Sequence, residues 1–144
     1  MKIRDLFQAQ PQTFSFEFFP PKTVQDVEDL FARARELQAY GPSFISVTYG
    51  AGGSTRRNTI DLVSRFQTEL GLVSMAHVTC AGHSQAELRA VLSELQEHGI
   101  ENLLTGGAGH QANAAVVVIE RKSLLGHIKG GPLAVAVQSD RAGR

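Results

Sequence analysis

Phe14-Ser15-Phe16-Glu17-Phe18-Phe19-Pro20-Pro21 is the stretch on which the fold turns. Its aromatic run is stopped by two prolines, so residues 14–19 read as a β-strand. Side chains alternate along a strand, which puts Phe14, Phe16 and Phe18 on one face and Ser15, Glu17 and Phe19 on the other.

Working outward, Val27, Leu30, Phe31, Ala34 and Leu37 recur at helical spacing and predict a helix over residues 26–40. Gly41-Pro42 ends it. The unit then recurs. Residues 44–49 are β-branched and aromatic and read as a second strand. A glycine-rich turn at 50–53 leads to Ser54 or Thr55 as an N-cap. Ile60, Leu62, Val63, Phe66 and Leu70 stripe a second helix, and Gly71 stops it. Residues 72–79 form a third strand. Ser84 and Glu87 fit a capping box for a third helix. Leu88, Val91, Leu92 and Leu95 line that helix, Gly99 closes it, and residues 100–104 make a fourth apolar segment.

Strand starts fall about every 30 residues, the length of a βαβ unit. Alternating strands and helices predict an α/β fold with a parallel sheet and its helices packed outside. An open doubly wound sheet and part of a (β/α)8 TIM barrel both fit this period. Both place ligand sites at the C-terminal ends of the strands. Functional residues are therefore sought after residues 19, 49, 79 and 104.

The chain has 144 residues, 42% apolar and 19% charged, which suits one globular core. Fourteen basic side chains balance fourteen acidic ones, so neither nucleic acid nor an anionic membrane is an expected partner. The single cysteine, Cys80, excludes an internal disulfide framework and points to a reducing compartment. Residues 1–10 lack the apolar run of a signal peptide, and no stretch approaches the roughly 18 apolar residues of a membrane span. A cytoplasmic location is the expectation.

Glu17 lies late in the first strand. Both faces of a parallel sheet are covered, so its side chain is expected to be at least partly buried. A buried carboxylate keeps a raised pKa that suits a general acid, or it pairs with a lysine or arginine elsewhere. Gly50-Ala51-Gly52-Gly53-Ser54-Thr55 lets a backbone approach a ligand closely, and amides opening the next helix favour anionic groups. It lacks the lysine of a P-loop, and the alternative is a plain turn beside the solvated Arg56 and Arg57. His77, in the third strand, either meets a polar cofactor edge or is a satisfied core histidine. Cys80 has no base near it in sequence. His83 and His98 read as loop and helix-end residues, and the five histidines form no metal-binding motif.

Taken together, the strand ends resemble one family. Residues 14–23, Phe-Ser-Phe-Glu-Phe-Phe-Pro-Pro-Lys-Thr, resemble the opening motif of methylenetetrahydrofolate reductases. Ser46-Val47-Thr48-Tyr49-Gly50-Ala51-Gly52-Gly53-Ser54-Thr55-Arg56 resembles their second-strand motif, Ala76-His77-Val78-Thr79-Cys80 their third, and Gly99-Ile100-Glu101-Asn102-Leu103-Leu104 their fourth. The resemblance covers about residues 1–104 and implies the N-terminal half of a (β/α)8 barrel holding FAD. It implies that NADH or NADPH reduces FAD, which reduces 5,10-methylenetetrahydrofolate to the 5-methyl form used in methionine synthesis. By motif, Glu17 matches the proton donor. Thr48 matches a residue at the nicotinamide and flavin stacking site. Tyr49, Ala51 and His77 match FAD-contacting positions.

The pattern breaks after the fourth strand. The family has Arg-Gly-Asp-Pro there, and this chain has Thr105-Gly106-Gly107-Ala108-Gly109-His110. Gly107 stands at the arginine and Gly109 at the aspartate, so neither role transfers. Residues 105–144 are read as a divergent tail with two further candidate strands, 114–119 and 133–138. A whole barrel needs roughly 200 residues or more. The expectation is a truncated, impaired enzyme whose uncovered faces favour homo-oligomers or aggregation. The alternatives are a non-catalytic half-barrel or interaction module, and a different barrel enzyme that binds phosphate at 50–55. Gly107-Ala108-Gly109-His110-Gln111-Ala112 outlines a dinucleotide fingerprint, but Glu120 follows too closely to leave room for its crossover helix.

Overall fold

The structure is a computed structural model and describes residues 1–49, 56–80, 83–106 and 115–118. Helix α1 (Ile3–Ala9) leads into strand β1 (Ser15–Phe18). Then follow α2 (Val24–Gln38), β2 (Phe44–Val47), α3 (Arg56–Glu69), β3 (Ser74–Thr79), α4 (Gln85–Glu97), β4 (Asn102–Gly106) and β5 (Ala115–Val118). One sheet runs β1-β2-β3-β4-β5, and the first four strands are parallel. Parallel strands in sequence order, each joined to the next by a helix, are the architecture of a partial α/β barrel.

Local chemistry sets the boundaries. Thr23 caps α2 by accepting from the Asp26 amide at 3.2 Å, so the helix begins two residues before the expected 26. Ser84 and Glu87 form the complete capping box at α4. Gly41 and Gly99, which follow α2 and α4, hold φ of 64° and 71°, a conformation that side chains with a Cβ resist.

The two sheet faces have different partners. Ile45, Val47, Ala76, Val78 and Leu103 point to the helices and share the main core with Phe31, Val63, Phe66, Val91 and Leu95. Phe66 is fully buried and stacks on Phe31, with ring centroids 5.5 Å apart and planes 7° apart. Arg65 lies over the other aromatic partner, 4.2 Å from the Phe31 centroid, and bonds Glu28 on α2 at 2.8 Å. That contact holds the Glu28 carboxyl below its usual range and the guanidinium above its own.

The opposite face is covered at its N-terminal end by α1. Ile3, Leu6 and Phe7 recur at helical spacing and pack on Phe44, Met75 and Leu104. Asn102, buried under this helix, accepts from the Ile3 amide at 2.9 Å and donates to the Met1 and Ser74 carbonyls. The sequence reading did not anticipate α1.

The candidate strand at 114–119 is present as β5, but it runs antiparallel to β4. The eight residues 107–114 between them are too few for a parallel crossover, which takes about a dozen or more. The candidate strand at 133–138 and the glycine motif at 107–112 lie outside the described residues. No described helix is long and apolar enough to cross a membrane.

Candidate functional site

Register brings the chemistry-bearing residues to one face. Glu17 pairs with Ser46, and Ser46 with Met75, so Glu17 lies on the face that α1 covers lower down. His77 sits two residues past Met75 and shares that face. Strands stand about 4.8 Å apart, so β1 and β3 are nearly 10 Å apart across β2. The two side chains nevertheless meet, with Glu17 Oε2 3.5 Å from His77 Nε2. Between them on β2 stands the small side chain of Ser46, only 4% exposed, which leaves room for the approach.

Electrostatics make the pair unusual. The Glu17 side chain is 50% exposed and that of His77 is 18% exposed. The burial expected for Glu17 is therefore not found: the acid is half open to solvent. Its neighbour carries the burial instead. Burial pushes the His77 imidazole below its ordinary value of 6.5, and the Glu17 carboxylate pulls it partly back. His77 Nε2 is buried and has no hydrogen-bond partner among the described residues. The carboxylate lies within ion-pair range but outside hydrogen-bonding geometry. A buried nitrogen left this way costs stability, and such groups concentrate where a ligand completes the set.

The tips of the strands are held by residues the sequence reading passed over. Thr59, 1% exposed, donates from Oγ1 to the Thr48 carbonyl at 3.0 Å. Asn58 donates to the Pro21 carbonyl at 2.9 Å. The start of α3 thus fixes the ends of both β1 and β2. The Thr48 amide donates to the Phe18 carbonyl at 2.9 Å, which extends the ladder past the strand ends. The available signal was an asparagine and a threonine placed just ahead of the apolar stripe that begins at Ile60.

Tyr49 follows, with its hydroxyl 3.4 Å from His83 Nε2. The loop histidine therefore reaches the β2 tip. Glu17, Thr48, Tyr49 and His77 all lie at the C-terminal ends of adjacent strands. Ala51 and the glycine turn lie outside the described residues. Cys80 is a half-buried free thiol. No cluster of three or more histidine, cysteine, aspartate or glutamate side chains suited to a metal occurs among the described residues. A groove of about 380 Å³ lined by Val24, Val27, Asn58, Asp61, Arg65 and His98 belongs to the helical side and takes in none of these strand-tip residues.

This geometry can hold a polar, planar ligand edge against His77 and move a proton at Glu17. The carboxylate is reachable from solvent, and the imidazole beside it is the more buried partner.

The family model described as methylenetetrahydrofolate reductase matches residues 2–124. The methylenetetrahydrofolate reductase (NADH) 1 of Arabidopsis thaliana is 41% identical over 103 residues, covering 72% of this chain and 17% of that protein. The 5,10-methylenetetrahydrofolate reductase of Salmonella typhimurium is 33% identical over 102 residues, 70% of this chain and 34% of its own length. That of Buchnera aphidicola subsp. Schizaphis graminum is 36% identical over 90 residues, 62% and 31%. The chain thus spans about a third or less of the curated relatives it matches.

Proposed function

Because this chain belongs to the methylenetetrahydrofolate reductase family, we propose that its strand tips serve a flavin-dependent reduction of 5,10-methylenetetrahydrofolate to 5-methyltetrahydrofolate, with NADH or NADPH as hydride donor. One observation carries the reading: the Glu17 carboxylate and the His77 imidazole converge to 3.5 Å at the C-terminal end of a parallel sheet.

His77 suits a flavin on physical grounds. Its buried, unpartnered Nε2 offers a donor or acceptor to the polar edge of a ring. Thr48 and Tyr49, at the end of the neighbouring strand, and Ala51 beyond them complete the set of cofactor residues by motif. FAD, when bound, supplies the hydride chemistry. Glu17 acts on the folate: its proton goes to the amine nitrogen that leaves as the methylene bridge opens to an iminium, the form that accepts hydride. Exposure lets Glu17 recover that proton from solvent.

A second reading has its own observation. Gly107 and Gly109 stand where the family motif has arginine and aspartate, and glycine supplies neither a side-chain charge nor a side-chain hydrogen bond. The folate half-reaction of this chain is impaired on that ground, and a non-catalytic half-barrel is the limiting case.

The test separates the two halves of the reaction. The purified chain is mixed with FAD, and NAD(P)H oxidation is followed with menadione and then with the folate. Bound flavin with menadione turnover supports the reading, and Glu17→Gln then slows only the folate half, by roughly a hundredfold or more. A folded chain that retains no flavin supports the non-catalytic alternative.

A further inference from the structure

We propose that His83 is a positioning residue that holds the Tyr49 ring at the strand-tip site. The inference rests on the flavin reading above. Tyr49 lies just past the end of β2, and two side-chain torsions set the direction of its ring. Such a ring makes a poor wall for a planar ligand unless something holds it, because ordering it on binding weakens affinity.

His83 makes two contacts with that ring. Its Nε2 lies 3.4 Å from the Tyr49 hydroxyl. The two rings also meet edge to face, with centroids 6.0 Å apart and planes at 65°. The hydrogen bond fixes the tip of the phenol, and the edge contact fixes its tilt.

His83 is itself anchored. The next residue, Ser84, caps α4: its amide donates to the Glu87 carboxylate at 2.7 Å, and the Glu87 amide donates back to its hydroxyl at 3.3 Å. Helix α4 is seated in the core through Val91 and Leu95. The chain of support runs from a rigid helix start through His83 to Tyr49 and so to the ligand.

The hydrogen bond tolerates a change of charge. A neutral imidazole nitrogen accepts from the phenol hydroxyl, and a protonated one donates to the phenol oxygen. A glutamine at this position also carries both a donor and an acceptor.

The experiment is a titration of FAD into the full chain, read by visible absorbance and flavin fluorescence. The proteins are the unaltered chain, His83→Ala, His83→Gln, Tyr49→Phe and the double variant His83→Ala/Tyr49→Phe. His83→Ala and Tyr49→Phe are each expected to weaken FAD roughly five- to tenfold, the scale of one lost hydrogen bond. The double variant is expected to be no weaker than the worse single one, because both remove the same contact. His83→Gln is expected to bind within about twofold of the unaltered chain.

Unchanged FAD affinity in a folded His83→Ala, or in Tyr49→Phe should the alanine variant not fold, overturns the inference. So do losses that multiply in the double variant. An unaltered chain that is folded and binds no flavin overturns the flavin reading and this inference together. Normal binding with indifferent variants overturns this one alone.

Discussion

Glu17 and His77 stand 3.5 Å apart although the whole of β2 separates their strands. Neither residue could make this approach on a flat sheet with a bulky side chain between them. The small side chain of Ser46, which pairs with Glu17 on β2, leaves the space for it. The pair is therefore a product of topology, and its properties follow from unequal exposure.

Removing the carboxylate should move the imidazole. Glu17 opposes the effect of burial on His77, so Glu17→Gln leaves burial unopposed. The His77 pKa is expected to fall further below 6.5, as read by NMR titration of its ring resonances. A His77 titration that stays in place, or rises, contradicts the coupling.

Stability should depend on pH through the same residue. Because the folded His77 holds its proton less tightly than an unfolded one, the folded state takes up fewer protons in acid. Its contribution is complete above 6.5, the ordinary value, and is lost as pH falls from there through the lowered folded value. Denaturant midpoints measured on either side of this window should fall with acid in the unaltered chain. His77→Asn should remove that component.

The aromatic stack between α2 and α3 should dominate the core. Phe66 is fully buried against Phe31 and Phe18. Phe66→Ala is expected to cost about 3 to 5 kcal/mol in denaturant unfolding. Arg65→Ala removes two ion pairs and the stacking on Phe31 and is expected to cost only about 1 to 2 kcal/mol, since its charges are partly solvated. Equal losses in the two variants would mean that polar contacts, not the stack, bind these helices together.

Thr59→Val tests how the β2 tip is held. The substitution keeps the shape and leaves the Thr48 carbonyl without its 3.0 Å donor. A loss of about 1 kcal/mol is expected, together with faster amide exchange at Thr48. Unchanged exchange there would show that α3 does not fix the tip.

Much of this was legible in the residues. Phenylalanines ahead of Pro20-Pro21, glycines 41, 71 and 99 after apolar stripes, and the Ser84–Glu87 box each act within a few positions, and they located the four parallel strands and three helices. The strand-end motifs located Glu17, Thr48, Tyr49 and His77 on one sheet end. What stayed hidden depends on contacts distant in sequence. Helix α1 is short, and its role emerges only where Ile3 meets Phe44 and Met75. Half-exposure of Glu17 reflects what covers the face, which alternation along a strand does not report. The contact between His83 and Tyr49 joins two loops 34 positions apart. Residue 51 and the glycine turn, though singled out by motif, lie outside the described residues.

The central claim is that His77 Nε2 and the neighbouring strand tips await a flavin. The direct measurement is the nitrogen resonance of His77 Nε2 in the labelled chain as FAD is added. The account predicts a large shift that saturates at one FAD per chain and is accompanied by a change in the Glu17 carboxyl resonance. A folded chain in which FAD binds while both resonances stay where they were would contradict it.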